Sequence, residues 1–377
     1  MIVKRITDFI KKETVLTAAF VLAIISMFFV APSEKYIEYI DFRVLGILLS
    51  LMIIMSAFQR TGIFDKIGTA LLKRTKNIRQ LCIVLVMLCF FLSMLITNDV
   101  ALITFVPFSL LTLKKANRED KMIFVIVLQT IAANLGSMLT PTGNPQNLYL
   151  YNLSGMSFFD FIIFMLPYTA ASFVLLIVII MFCKKESINK NFLITEKANE
   201  KSDNKNKILT IIYTVLFALG IMSVCHILPY YILLAIVAIV VFVCDKKVFL
   251  KVDYCLILTF VCFFIFIGNI KNVDIVRNFL EQAVYENEIT VGILSSQVVS
   301  NVPAALMLSG FTNNYNALLV GVNIGGLGTL IASMASLISY KIYAQNYNDS
   351  KGKYMLWFTM GNILFLAVLW GLAVLIA

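Results

Sequence analysis

Charge is scarce in this chain of 377 residues: 14% are Asp, Glu, Lys or Arg, whereas 60% are hydrophobic. Soluble domains carry about 25% charged residues, so a soluble globular protein is excluded and an all-α integral membrane protein is expected. Histidine is almost missing. His226 stands alone at the edge of an apolar run, and it reads as a packed or solvated side chain rather than a catalytic base. The seven cysteines (82, 89, 183, 225, 244, 255 and 262) form no CxxC pair and no Cys/His set at zinc-ligand spacing. Walker, HExxH, GxSxG and dinucleotide-binding motifs are also lacking. Enzymatic chemistry, ATP-driven transport by this chain alone, a transition metal and an organic cofactor are therefore not expected.

The formal net charge of +10 invites a nucleic-acid reading, but its placement argues for topology instead. Apolar spans are expected near 14–31, 42–58, 121–150, 158–183, 208–226, 229–245, 252–270, 316–342 and 353–376, since a crossing helix needs about 20 apolar residues. With the N-terminus in the cytoplasm, the inner segments hold 27 of the 31 Lys and Arg residues, leaving only Lys35, Arg43, Lys271 and Arg277 elsewhere. Positive residues mark the cytoplasmic side. A multi-pass protein of the plasma (inner) membrane follows, with membrane lipid as its surroundings and no nucleic-acid partner.

Two apolar stretches do not read as simple spans. Residues 81–113 are too long for one crossing and too short for two plus a turn, and basic residues flank both ends. A re-entrant hairpin with Asn98 and Asp99 at its tip satisfies both facts. Residues 287–314 repeat the pattern, flanked by Glu286, Glu288, Asn313 and Asn314. Five spans separate the hairpins, an odd number, so the second half is expected to be inverted. About nine transmembrane helices plus two re-entrant hairpins are thus expected in two inverted repeats. The first repeat is 1–183, with hairpin 81–113 and broken helix 121–150; the second is 229–377, with hairpin 287–314 and broken helix 316–342. A cytoplasmic linker (184–207) and a connecting span (208–228) join them. Gly62–Leu72 and Val273–Val284 read as amphipathic connectors at the membrane interface.

The polar residues recur in pairs. Ser93, Thr97 and Asn98 return at the same spacing as Ser296, Ser300 and Asn301. Thr140, Pro141, Thr142, Gly143, Asn144 and Pro145 interrupt one span, and Thr329, Ala332 and Ser333 interrupt its counterpart. Proline breaks the helical hydrogen-bond ladder, and glycine lets backbone approach an ion. Irregular backbone persists at membrane depth only where protein or a wet cavity satisfies it. Paired breaks in two halves of one chain therefore point to the binding site of a secondary transporter. Tight helix packing would use the same small polar residues. Asp99 is the only ionisable residue deep in an apolar segment, where a charge costs about 2.5–3.5 kcal/mol on insertion scales; it is a functional candidate or the cap of the second hairpin arm. Asp160 and Asp253, at span ends, read as caps or solvated groups.

These tips and the Thr140–Asn147 loop resemble the ion transporter superfamily, which includes the divalent anion:sodium symporters for citrate and dicarboxylates, the arsenite permeases and a sodium/proton antiporter branch. The resemblance covers both repeats. It implies one sodium site at Ser93, Thr97, Asn98 and Gly143 and a second at Ser296, Ser300, Asn301 and Ala332. It further implies substrate carboxylates between Asn98 and Asn301, with Asp99, Asn144 and Val302 as neighbours. An elevator-like movement, a homodimer, and sodium or protons as coupling ion also belong to that expectation. The expected activity is carriage of a small anion, most plausibly a di- or tricarboxylate, with sodium/proton antiport or oxyanion efflux as alternatives. Two departures stand out. The third tip position, Thr in the symporters, is Asp99 in one repeat and Val302 in the other, and the second broken helix lacks proline.

Overall fold

The computed structural model describes residues 13–73, 75–187 and 203–376. Among them the chain forms eighteen α-helices. In the first half these are α1 (Thr14–Met27), α2 (Lys35–Glu38), α3 (Phe42–Thr61), α4 (Ile63–Leu72), α5 (Ile78–Ile96), α6 (Asn98–Lys115), α7 (Met122–Ser137), α8 (Pro145–Ser154) and α9 (Phe158–Met181). In the second half they are α10 (Asp203–Val224), α11 (Tyr230–Asp245), α12 (Tyr254–Ile270), α13 (Asp274–Val284), α14 (Glu288–Val299), α15 (Asn301–Leu308), α16 (Tyr315–Gly325), α17 (Met334–Asn346) and α18 (Lys351–Ile376).

Helix starts are written in the sequence as capping residues. Asp41, Asn77, Asp253 and Asn314 each accept a backbone N–H three residues on, at 3.0, 3.0, 3.1 and 3.1 Å. Each such cap contributes about 1 kcal/mol. Ser157 accepts from the Asp160 N–H while its hydroxyl donates to the Asp160 carboxylate, so Ser157 caps α9 with the exposed Asp160 bracing it, whereas Asp253 is itself a cap. Gly62, at φ +69°, ends α3 and turns the chain directly into α4.

Five described helices are long and apolar enough to cross a membrane: α3, α5, α9, α10 from Asn206 onward, and α18. A sixth crossing results if the α12–α13 pair, bent by 106°, counts as one span. Nine separate crossings are not delineated. The expected spans 14–31, 229–245 and 252–270 are helices of 14, 16 and 17 residues. At 1.5 Å per residue even the longest covers about 26 Å, short of the roughly 30 Å hydrocarbon core. Spans 121–150 and 316–342 are each divided, at residues 138–144 and 326–333. The arms of the first expected hairpin, α5 and α6, have 19 and 18 residues and meet at the single residue Thr97. The expected connectors are α4 and α13, and α13 presents Ile275 and Phe279 outward. Of the expected linker, residues 188–202 lie outside the described residues, and α10 begins inside its far end.

The helices sort into three sets by packing. Helices α1, α3, α10, α11 and α12 pack largely on one another; α5, α6, α7 and α9 pack together, as do α14, α15 and α16. The halves cross over, since α17 lies on α6 and α7 while α16 and α15 lie on α8. Burial follows the same plan. Every residue from Val125 to Met138 and from Thr140 to Tyr151 is buried, whereas α9, α10 and α18 turn Ile163, Ile211 and Met360 outward, each at least 60% exposed. Exposed apolar faces around a polar centre are what a bilayer permits and water does not.

Candidate functional site at the paired helix breaks

Thr97 sits between α5 and α6 at φ +68°, ψ +150°, and Ser300 sits between α14 and α15 at φ +76°, ψ +154°. This backbone region is essentially reserved for glycine and costs a side-chain-bearing residue about 1–3 kcal/mol. The same strain at equivalent positions of both halves is held by equivalent bonds. The Asn98 N–H donates to the Gly143 carbonyl at 3.2 Å, and the Asn301 N–H donates to the Ala332 carbonyl at 2.9 Å. Each tip is thereby tied to the broken helix of its own half, at the residues paired with it in the sequence. Neither α6 nor α15 receives a side-chain cap from Thr97 or Ser300.

Small residues make that contact close. A Cβ on Gly136 would lie 2.1 Å from the Phe90 carbonyl and 2.7 Å from Ser93 Oγ; a Cβ on Gly325 would lie 2.7 Å from Ser296 Oγ. Thr140 Oγ1 donates to the Met94 carbonyl, and Thr329 Oγ1 donates to the Gln297 carbonyl at 3.1 Å. The two breaks differ in how their freed backbone is satisfied. In the first, Asn147 Nδ2 reaches the carbonyls of Ser137, Met138 and Thr140 at 3.2, 3.3 and 3.0 Å. In the second, Gln297 Nε2 donates to Gly325 and Leu327 at 2.9 and 3.0 Å, and its Oε1 accepts from the Thr329 N–H at 2.9 Å. Gln297 plays in the second break the part that Asn147 plays in the first, and holds that break open without prolines.

The halves exchange side-chain bonds reciprocally. Asn144 Nδ2 of the first break donates to Asn323 Oδ1 on α16 at 3.2 Å, and Ser333 Oγ of the second break donates to Asn134 Oδ1 on α7 at 2.9 Å. Asn134 Oδ1 also accepts from Asn98 Nδ2 at 3.0 Å, and Asn323 Nδ2 donates to Asn147 Oδ1 at 2.7 Å. A Cβ on Gly326 would stand 2.8 Å from Asn301 Nδ2, while the Gly326 carbonyl accepts from Asn134 Nδ2 at 3.4 Å. One buried polar cluster therefore includes Asn98, Asn144, Asn301 and Ser333, with Asn134 and Asn323 at its junctions. Those two asparagines were not among the expected site residues. Their signal was available: each opens its polar stretch and precedes a tightly packed glycine by two positions.

Ser93 and Ser296 are fully buried and donate to the carbonyls of Phe90 and Gly292 at 3.0 and 2.7 Å, which leaves hydroxyl lone pairs for a cation. Asp99 does not cap α6. Asn98 Oδ1 accepts the Asp99 N–H at 2.9 Å, while Asp99 Oδ1 is buried without a hydrogen-bond partner among the described residues. Val302 is half-buried and packs on the apolar core. His226 lies on the surface after α10, its ring tilted against that of Tyr151 with centroids 6.1 Å apart, and partial burial followed by the nearby Arg43 lowers its pKa from the ordinary value. It is an exposed residue far in sequence from either break.

The strained tip carries a prediction. Thr97→Gly is expected to hold or raise the thermal unfolding midpoint, because relief of about 1–3 kcal/mol of strain exceeds the roughly 0.5–1 kcal/mol entropic cost of glycine. Removal of the hydroxyl takes away one oxygen that a cation could bind, so any stabilisation of the wild type by added sodium is expected to weaken. Differential scanning fluorimetry without and with a sodium titration checks the two halves of this expectation. A large fall in stability would mean that the tip conformation is not strained.

A family model described as citrate transporter matches residues 6–316. The chain is similar to an uncharacterized transporter of Methanocaldococcus jannaschii, with 33% identity over 89% of each protein. It is similar also to the inner membrane protein YbiR of Escherichia coli K12, with 29% identity over 84% of each. A shorter similarity, 32% over 37% of this chain and 29% of the other, links it to the silicon efflux transporter LSI3 of rice.

Proposed function

Because the chain belongs to the citrate transporter family, within the ion transporter superfamily, we propose that this membrane transporter is a secondary carrier of a small anion, a di- or tricarboxylate, driven by a sodium or proton gradient. The observation that carries this reading is the reciprocal exchange of hydrogen bonds between the two breaks, Asn144 to Asn323 and Ser333 to Asn134. The starts of α8 and α17 make that exchange, and those of α6 and α15 lie beside it, through the bond from Asn98 to Asn134 and the approach of Asn301 to Gly326. Helix N-termini favour anions through unpaired N–H groups and the helix dipole. The hydroxyls of Ser93, Thr97, Ser296 and Ser300 with the carbonyls of Gly143 and Ala332 supply oxygen ligands suited to sodium.

In this mechanism the cation sits at a tip and offsets the charge of the incoming anion, so each stabilises the other's binding. The carboxylates are held between Asn98 and Asn301, with Asn144 beside them. The packing sets, two of them joined where α15, α16 and α17 cross over, support a division into a moving body, which holds both tips and both breaks, and a scaffold of α1, α3, α10, α11 and α12. Re-entrant hairpins, inverted repeats, an elevator-like movement and a homodimer complete the proposal. So do residence in the plasma (inner) membrane and a cytoplasmic N-terminus; a relative named as an inner membrane protein supports the former.

A second reading rests on Asp99. A buried carboxylate oxygen without a partner is a ready proton or cation acceptor, which favours sodium/proton antiport. The name of the rice relative supports a third cargo, a silicon or related oxyanion species exported from the cell. Uptake of labelled citrate and succinate into proteoliposomes, under imposed sodium or proton gradients, separates these readings. Gradient-dependent, saturable uptake is expected. Its absence from inserted protein, together with sodium-driven proton flux that is lost in Asp99→Asn, would replace the carrier reading with antiport.

A further inference from the structure

At the end of α5 away from its tip, the residues after α9 are stitched to the first turn. Arg79 Nε donates to the Cys183 carbonyl at 2.7 Å, and the Ile78 N–H donates to the Glu186 carbonyl at 2.9 Å. One turn further along α5, Cys82 is fully buried, and its thiol hydrogen-bonds to that of Cys183, which is partly exposed. Basic groups surround the pair. Arg79, Arg118 and Lys121 face Cys183; Arg118 is itself paired with Asp120 and with Glu186, and Lys121 with Asp120. The hydrogen bond from Cys82, and then these cations, hold the Cys183 thiol down to about 7.

We propose that Cys82 and Cys183 are a reversible dithiol/disulfide site whose oxidant is a small anionic disulfide, such as oxidised glutathione. The Cys183 thiolate attacks one sulfur of the oxidant, forming a mixed disulfide and expelling one small thiolate. That thiolate takes the proton of Cys82, which the Cys183 sulfur no longer accepts. The Cys82 sulfur then attacks Cys183 Sγ, forming the internal disulfide and releasing the second small thiolate, which is protonated from water. Two electrons pass from the cysteine pair to the oxidant, and an excess of the reduced small thiol reverses both steps. A thiol that titrates near ambient pH is close to optimal for such exchange, and the basic surroundings concentrate an anionic reagent. The bond would clamp the residues after α9 to the first arm of the tip-bearing pair. No part of this depends on the transport reading.

The test uses purified full-length protein incubated with oxidised glutathione, alkylated and mapped by peptide mass spectrometry. A Cys82–Cys183 linked peptide is expected to dominate and to vanish on reduction. In Cys82→Ser, a glutathione adduct should persist on Cys183; in Cys183→Ser, neither product should form. Should either variant fail to fold, the wild-type protein alone decides. Its Cys183 should alkylate with a midpoint at about pH 7 and, at that pH, about tenfold faster than Cys225, whose thiol burial pushes up. Adducts that appear first at other cysteines, or a Cys183 adduct that never passes to Cys82 in the wild type, would overturn the proposal.

Discussion

Asn98→Ala and Asn301→Ala are each expected to cut gradient-driven uptake by about 100-fold while leaving the protein folded and inserted. The separation of function from folding follows from which atoms hold the tips. The bonds that fix the strained backbone run from the main-chain N–H groups of Asn98 and Asn301 to Gly143 and Ala332, and alanine keeps both. What alanine removes is the amide itself: the bond from Asn98 Nδ2 to Asn134 and the Oδ1 that receives the Asp99 N–H. Asn134 keeps Ser333 as a donor, so no buried acceptor is orphaned there. A lost hydrogen bond to a charged ligand is worth about 1.5–3 kcal/mol, and a loss near the upper end corresponds to roughly 100-fold. Uptake per inserted protein, alongside size-exclusion profiles, checks the expectation. Normal flux in both variants would mean that the tips serve packing alone.

The second large effect is expected on folding. Gly143→Ala would place a Cβ 2.0 Å from the Ser137 carbonyl oxygen and 2.8 Å from its carbon. Both are backbone atoms of Ser137, the fully buried last residue of α7, so no rotamer change relieves the clash. The loop must move, and with it go the Gly143 carbonyl that anchors the first tip and the Asn144 side chain that caps α8 and reaches α16. Overpacking a close-packed site costs about 1–3 kcal/mol, and more where backbone is displaced. A fall in the unfolding midpoint of several degrees and a loss of monodisperse protein are therefore expected. Gly371→Ala is the control, because a Cβ there meets nothing within 4 Å; in a helix it should be neutral or stabilising by about 0.5–1 kcal/mol. Fluorescence-detected thermal stability measures both. Equal behaviour of the two variants would contradict the close approach at Gly143.

Much of the candidate site was legible because its chemistry is local. Pro141, Gly143 and Pro145 within one apolar stretch force a helix break at any depth, and the tip spacing repeats without gaps. The cap at Asp253 was equally readable, since a cap needs only its own first turn; beside Asp160 the capping residue is Ser157. What the sequence could not give was the cross-half partnership. Asn134 and Asn323 look like ordinary small-polar packing residues until α7 and α16 are laid across the opposite breaks. Nor did it reveal that Gln297 supplies from α14 the backbone satisfaction that Asn147 supplies in the first break. Long-range compensation of this kind leaves no local pattern. The span count was blurred for a related reason: composition reports apolar length, whereas helix continuity depends on where polar backbone finds partners. Asp99 was placed in the right turn but given one role too many, for it lies inside the first turn of α6, and its buried Oδ1 has no hydrogen-bond partner among the described residues.

The most direct measurement of the central claim is ligand-induced thermal stabilisation of purified protein across a panel of carboxylates, oxyanions, sodium and potassium. A ligand that binds only the folded state raises the unfolding midpoint, by an amount that grows with the logarithm of its concentration above Kd. At least one anion is expected to stabilise the wild type, more strongly with its coupling cation present, and to lose most of that effect in both Asn98→Ala and Asn301→Ala. Stabilisation that survives unchanged in both variants, or a panel in which no anion and no cation shifts the wild type, would contradict a shared site between the two tips.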